Sequence, residues 1–163
     1  SIATIVGFIA VGGVAARRLQ LRAASRGVDP ARLLIAGNEP VPRYIARYRL
    51  ADLFLDTWPF GSHTTVNDAL FAGLPVLTQA GRTFASRASA SQVIAAGLPE
   101  LVANSLQDYV DGAIALGSDR ARLVELSARL RANRSRLPYF DLDAYARAFE
   151  AAVERAWAGT PVD

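Results

Sequence analysis

A chain of 163 residues, 52% apolar and 20% charged, has the apolar surface for one buried core and excludes a disordered segment. Zero Cys and a single His exclude disulfides, thiolate chemistry and thiolate metal sites, and leave no cluster for a catalytic zinc ion. The formal charge of +3 comes entirely from Arg, for the sequence holds no Lys; these Arg residues alternate with Asp and Glu as on a solvated face, so no nucleic-acid surface is indicated.

The chain opens on Ser1 and enters an uncharged apolar stretch, Ile2 to Ala16, ended by Arg17-Arg18. The stretch is shorter than a membrane span and lacks a basic segment in front, so neither an anchor nor a signal peptide is expected. Gly7, Gly12 and Gly13 divide it instead into a strand, Ile2 to Ile9, and a turn leading into a helix over Val14 to Arg26. Gly27 and Pro30 stop that helix. The first strand reads as an interior strand of a sheet begun upstream, so the chain is expected to be a fragment of a larger protein.

Arg32 to Ala36 predicts a second strand, and the loop Gly37 to Pro42 leads to an Arg- and Tyr-rich helix, Arg43 to Arg49. Leu53 to Asp56 predicts the third strand, followed by a Gly-containing loop and a helix after His63 that Gly73 and Pro75 close. Pro75 to Thr78 predicts the fourth strand, Thr83 to Ala96 a helix ended by Gly97, and Leu101-Val102 a short fifth strand. Three helices complete the chain, over Leu106 to Leu116, Arg120 to Arg134 and Leu142 to Trp157. Alternating strands and helices imply an α/β fold, a parallel sheet with helices on both faces. Residues 1–163 are expected to form a single domain, with a helical tail over 105–158.

Ligands of such sheets bind at the carboxyl ends of the strands. Gly61-Ser62-His63-Thr64-Thr65-Val66-Asn67-Asp68 falls there, and the loops Gly37 to Arg43 and Gln79 to Thr83 are expected on the same edge. A helix starting near Thr64 leaves its first N–H groups unpaired and presents partial positive charge to the loop. With two hydroxyls and the chain's only His, several donors then converge on a phosphate. Asp68, one turn on, suits the hydroxyls of a sugar. A plainer account stands beside this one: Ser62 or Thr64 as an N-cap, Asp68 favouring the helix dipole, and His63 solvated.

The residues Leu50-Ala51-Asp52-Leu53-Phe54-Leu55-Asp56-Thr57, His63-Thr64-Thr65 with Asp68, Ala72-Gly73-Leu74-Pro75-Val76-Leu77-Thr78 and Gly81-Arg82-Thr83-Phe84-Ala85-Ser86-Arg87 form an ordered, evenly spaced series. From about Arg32 to Trp157, including Pro138-Tyr139-Phe140-Asp141, the chain resembles the C-terminal catalytic region of the O-linked N-acetylglucosamine transferase/SPINDLY family, particularly its bacterial members. The resemblance implies a Rossmann-like domain, the second and donor-binding half of a GT-B glycosyltransferase. Members transfer N-acetylglucosamine, or another hexose, from its UDP donor to Ser or Thr of proteins, with inversion and without a required metal; the protein is accordingly expected to be cytoplasmic and to need no cofactor. By that likeness His63, Thr64 and Thr65 would contact the diphosphate and Asp68 the ribose. Tyr44, in the Pro40-Val41-Pro42-Arg43-Tyr44 loop, would stack on uracil, and Arg47, one turn later, would support the pocket.

Some members carry Lys and His where Val41 and Tyr44 stand, and an acidic residue where Arg82 stands. Tyr44 has a second account as an amphipathic helix residue at the sheet edge, and the Gly81-Arg82-Thr83 turn has one as an ordinary N-cap. Asp52 and Asp56, spaced by four along a strand, are read as structural, and Trp58 and Phe60 as loop anchors or the mouth of the site. The family's diphosphate-stabilising Lys, its other Rossmann half and its tetratricopeptide repeats all lie upstream of the matching segment. Two alternatives stay open: a UDP-glucose-type hexosyltransferase, and a non-catalytic nucleotide-sugar-binding module.

Overall fold

A computed structural model describes residues 13–159. The strand expected over Ile2 to Ile9 lies outside the described residues. Helix α1 (Gly13–Ala24) is followed by a 3-10 turn, Pro30–Arg32, capped by the Asp29 carboxylate, which accepts the Ala31 N–H. Among the described residues no strand forms over Arg32 to Ala36, where one is expected. Leu33 turns to extended backbone, but 34–37 pair with none of the described strands, and Leu34 and Ile35 are exposed.

Helix α2 (Val41–Arg47) begins on a Pro-bounded first turn and tightens into a 3-10 turn, Tyr48–Leu50. Strand β1 (Phe54–Leu55) then enters the sheet, followed by helix α3 (His63–Ala72). Gly73 ends α3 at φ 87, a left-handed conformation that costs glycine little, and Pro75 precedes strand β2 (Val76–Gln79). Helix α4 (Phe84–Ala95), strand β3 (Val102–Ala103), α5 (Leu106–Ser118), α6 (Arg120–Asn133) and α7 (Leu142–Trp157) follow. Among the described residues no helix is long and apolar enough to cross a membrane.

The sheet runs in the order β1-β2-β3, with both pairs parallel. Phe54 lies opposite Val76 and Thr78 opposite Val102, so β2 is central and its first three residues are buried. Successive residues of β2 serve opposite faces. Val76 joins Val66, Leu70 and Val93 from α3 and α4, while Leu77 joins Leu53 and the α5 side chains Tyr109 and Ala113. Helix α6 crosses both groups, with Leu126 and Leu130 in the first and Leu123 in the second. Helices on both faces and parallel strands direct all three strand ends, and the loops after them, to one edge.

Helix α4 carries a reciprocal cap. Thr83 Oγ1 accepts the Ser86 N–H at 3.3 Å and Ser86 Oγ accepts the Thr83 N–H at 3.1 Å. The N-cap account of Thr83 is thus what the structure shows. Thr83→Ala is expected to lower stability by about 1 kcal/mol, and Thr83→Ser to leave it nearly unchanged, in urea unfolding.

Candidate functional site

The carboxyl edge of β1 builds the site. Asp56 extends the ladder by one residue, donating its N–H to Leu77 O at 3.0 Å. The chain then loops out, and two hydrogen bonds bring it back: Gly61 N–H to Ala85 O at 2.9 Å and Ser62 N–H to Asp56 Oδ1 at 2.8 Å. Ser62 occupies the N-cap position of α3 at φ −82 and ψ 8, and its side chain makes no cap bond. Its hydroxyl lies 3.2 Å from Thr57 Oγ1, and its carbonyl accepts the Thr65 N–H at 2.8 Å. The side-chain cap offered by the plainer account is therefore not built.

His63 follows at φ 31, the one non-glycine residue at positive φ among the described residues. A right-handed residue followed by one at positive φ turns consecutive N–H groups toward a common side, a concavity suited to an anion. The N–H groups of His63 and Thr64 have no hydrogen-bond partner among the described residues, and they stand at the positive end of α3. No acidic residue lies in the first turn of α3, so Asp68 does not serve the dipole from there. It shares a face with Thr64, four residues earlier.

On one flank stands α4. The His63 Nε2 donates to the Ala85 carbonyl at 3.1 Å, because a carbonyl can only accept. The ring stacks on Phe60 at 5.0 Å between centroids and meets the edge of Phe84 at 5.7 Å. His63 is thus a packed residue rather than a solvated one, while Phe60, whose ring covers it, stays largely exposed. On the other flank stands α2. Tyr44, Arg47 and Thr65 line a pocket of about 240 Å³ with Ala36, Gly37, Asn38 and Glu39.

Within that pocket Arg47 donates to Gly37 O at 3.0 Å and approaches Glu39 at 3.7 Å, so its guanidinium shapes the 37–39 loop. The Tyr44 hydroxyl lies 2.5 Å from that of Tyr48, and the two rings meet edge to face. Burial first, then Tyr44 and the negative charge of Asp68, push the Tyr48 hydroxyl up from its ordinary pKa. Asp68 therefore lies within electrostatic reach of the turn that follows α2.

The structure thus gathers Tyr44, Arg47 and Thr65 at one pocket and His63 and Thr64 at the adjoining helix end, with Asp68 one turn behind. The loops 37–43 and 79–83 emerge on that edge as expected, the second delivering Phe84 and Ala85 to His63. Three contributors escape the sequence reading as site components: the Ala85 carbonyl, Thr78, and Asp56 as a holder of the turn. A main-chain carbonyl carries no residue signature, and Asp56 meets Thr78 only through strand pairing. The Asp56–Thr57 pair directly after an apolar strand was the available signal. Among the described residues no group of three or more His, Asp or Glu side chains gathers to hold a metal ion.

Residues 1–149 match the sequence profile of glycosyl transferase family 41. The chain belongs to that family. It is 35% identical over 142 residues to the UDP-N-acetylglucosamine–peptide N-acetylglucosaminyltransferase of Caenorhabditis elegans, covering 85% of this chain and 12% of that protein. It is 33% identical over 141 residues to the probable enzyme of that name, SEC, of Arabidopsis thaliana, covering 86% of this chain and 14% of that one. A solved structure of a mutant O-GlcNAc transferase of Thermobaculum terrenum superposes with a TM-score of 0.77 at 35% identity, over 90% of this chain and 27% of that one. This family-41 chain therefore has the Rossmann-like α/β architecture of the GT-B catalytic region, and it spans a small part of the length of its relatives.

Proposed function

We propose that this chain is the donor-binding part of a protein O-glycosyltransferase that moves N-acetylglucosamine from UDP-N-acetylglucosamine to Ser or Thr of proteins. The observation that carries this reading is the first turn of α3. Its His63 and Thr64 N–H groups have no partner among the described residues and stand at the carboxyl edge of a parallel sheet, in a family-41 chain. On this reading residues 1–163 form one UDP-sugar-binding unit of a longer cytoplasmic protein, which supplies a second Rossmann half and a repeat region. His63, Thr64 and Thr65 take the diphosphate and Asp68 the ribose hydroxyls. The Tyr44 hydroxyl is engaged with Tyr48, so its ring rather than its oxygen meets uracil, with Arg47 holding the loop opposite.

The transfer is a single displacement with inversion. The acceptor oxygen bonds to the anomeric carbon from the face opposite UDP as its hydroxyl proton passes to water, the bond from that carbon to the β-phosphate oxygen breaks, and UDP leaves with the electron pair. Negative charge grows on the diphosphate as that bond lengthens. Fixed N–H groups at a helix terminus offset it without reorganising, which is how the reaction would proceed without a required metal.

Calorimetric titration of the chain with UDP, with ADP as control, tests the reading. Selective binding of UDP is the expected result. Equal affinity for ADP, or no binding of UDP, would overturn the donor-pocket assignment.

A further inference from the structure

Asp56 is 6% exposed, and no basic side chain among the described residues pairs with it. Burying a carboxylate without a cation is costly unless its oxygens are met by donors. Each is: Oδ1 accepts the Ser62 N–H at 2.8 Å and Oδ2 accepts the Thr78 hydroxyl at 2.7 Å. The residue's own carbonyl accepts the Tyr109 hydroxyl of α5 at 2.8 Å. Burial, together with the negative charge of Asp56, raises the Tyr109 pKa to about 12. One side chain thus ties the end of β1 to β2 and to the residue before α3, and Tyr109 secures its main chain from the opposite face of the sheet.

The consequence lies in which N–H it takes. By engaging Ser62, Asp56 satisfies the last donor before the helix, and the next two, on His63 and Thr64, have no partner among the described residues. Without that hold, Ser62 keeps its hydroxyl contact with Thr57 and its carbonyl bond from the Thr65 N–H, but its own N–H is released, and the succession of φ −82 at Ser62 and φ 31 at His63 loses an anchor. The carboxylate lies behind the turn, shielded from solvent, so it is not itself a ligand for a sugar or a metal.

We infer that Asp56 is a positioning residue for the diphosphate-binding turn, setting the direction of the His63 and Thr64 N–H groups through its hydrogen bond to Ser62. The inference rests on the donor-site reading above and adds a residue to it. It makes a distinction that a role in folding alone does not. Loss of the hold weakens recognition of the diphosphate but spares the uridine part of the ligand, which lies toward Tyr44 and Arg47.

The test is titration of the 163-residue chain and its variants with UDP and with uridine, alongside thermal unfolding. Asp56→Ala is expected to weaken UDP binding roughly tenfold while uridine affinity stays within about twofold. Asp56→Asn, which keeps an acceptor for the Ser62 N–H, is expected to recover most of the loss. If Asp56→Ala does not fold, Thr78→Val removes one of the two donors holding the carboxylate, and it is expected to move the UDP-to-uridine ratio in the same direction. Equal losses for UDP and uridine, or no loss for either, would overturn the positioning role and leave the donor site standing. If the unaltered chain binds UDP no better than uridine, the donor-site reading fails first, and the role of Asp56 falls with it.

Discussion

Gly61→Ala is expected to destabilise the chain by about 2 kcal/mol and to weaken UDP binding more than tenfold. The reason is space, not backbone freedom. A Cβ on residue 61 would stand 2.5 Å from Ser89 Oγ, 3.2 Å from the Ala85 carbonyl oxygen and 3.3 Å from Asp56 Oδ2. The first contact is relievable, for Ser89 Oγ is buried without a hydrogen-bond partner and can rotate away at little loss. The other two are not, because Ala85 O receives both Gly61 N–H and His63 Nε2, and Asp56 holds Ser62 and Thr78. A methyl group there pushes apart the two acceptors that fix the turn.

The pair Gly61→Ala and Ser89→Ala separates these effects. Ser89→Ala alone removes an unsatisfied buried hydroxyl and is expected to be neutral or slightly stabilising in urea unfolding. Combined with Gly61→Ala it should restore part of the stability and little of the UDP affinity. Full recovery of affinity in the double variant would show that Ser89 alone was the obstacle and that the Ala85 and Asp56 contacts tolerate the methyl.

What the sequence reveals is governed by how local the determining interaction is. Helix α3 is legible because Gly73 stops it, and α7 coincides with its expected range because Asp141 caps it by accepting the Ala144 N–H. Strand β2 is legible as a short apolar run after Pro75, though it starts one residue later and extends to Gln79. Strand β3 falls one residue later than expected because Leu101 completes a 3-10 turn begun at Pro99. The run at 33–36 joins none of the described strands, and pairing is a tertiary property that a short apolar run does not carry by itself.

The same division runs through the site. That a helix opens after β1 with its first N–H groups unpaired follows from a Gly-Ser-His sequence after a strand, and it is visible in one dimension. That the turn is held by Asp56 through Ser62, and from α4 through Ala85, depends on groups that meet only after β1, β2 and α4 are assembled. Position 44 shows the limit most plainly. Its helical spacing marks it as half-buried, but only the fold reveals that its hydroxyl is engaged by Tyr48.

His63→Ala and Thr64→Ala are both expected to weaken UDP binding by about 1–3 kcal/mol, but with different effects on stability. Thr64 is exposed and its side chain makes no hydrogen bond to the described residues, so removing its hydroxyl should leave thermal unfolding unchanged. Its loss of affinity would then report a contact with the ligand. His63 is different, since its ring bridges Phe60, Phe84 and the Ala85 carbonyl. In the neutral ring the Nε2 proton is committed to Ala85, which leaves Nδ1 an acceptor facing no need of a phosphate. The His63 contribution is therefore expected to come largely through the main-chain N–H that its packed ring holds in place. His63→Ala should lower both stability and UDP affinity. Unchanged UDP affinity in both variants would remove the first turn of α3 from the site, whereas a loss confined to His63→Ala would reduce Thr64 to a bystander and leave the turn as the anion-binding element.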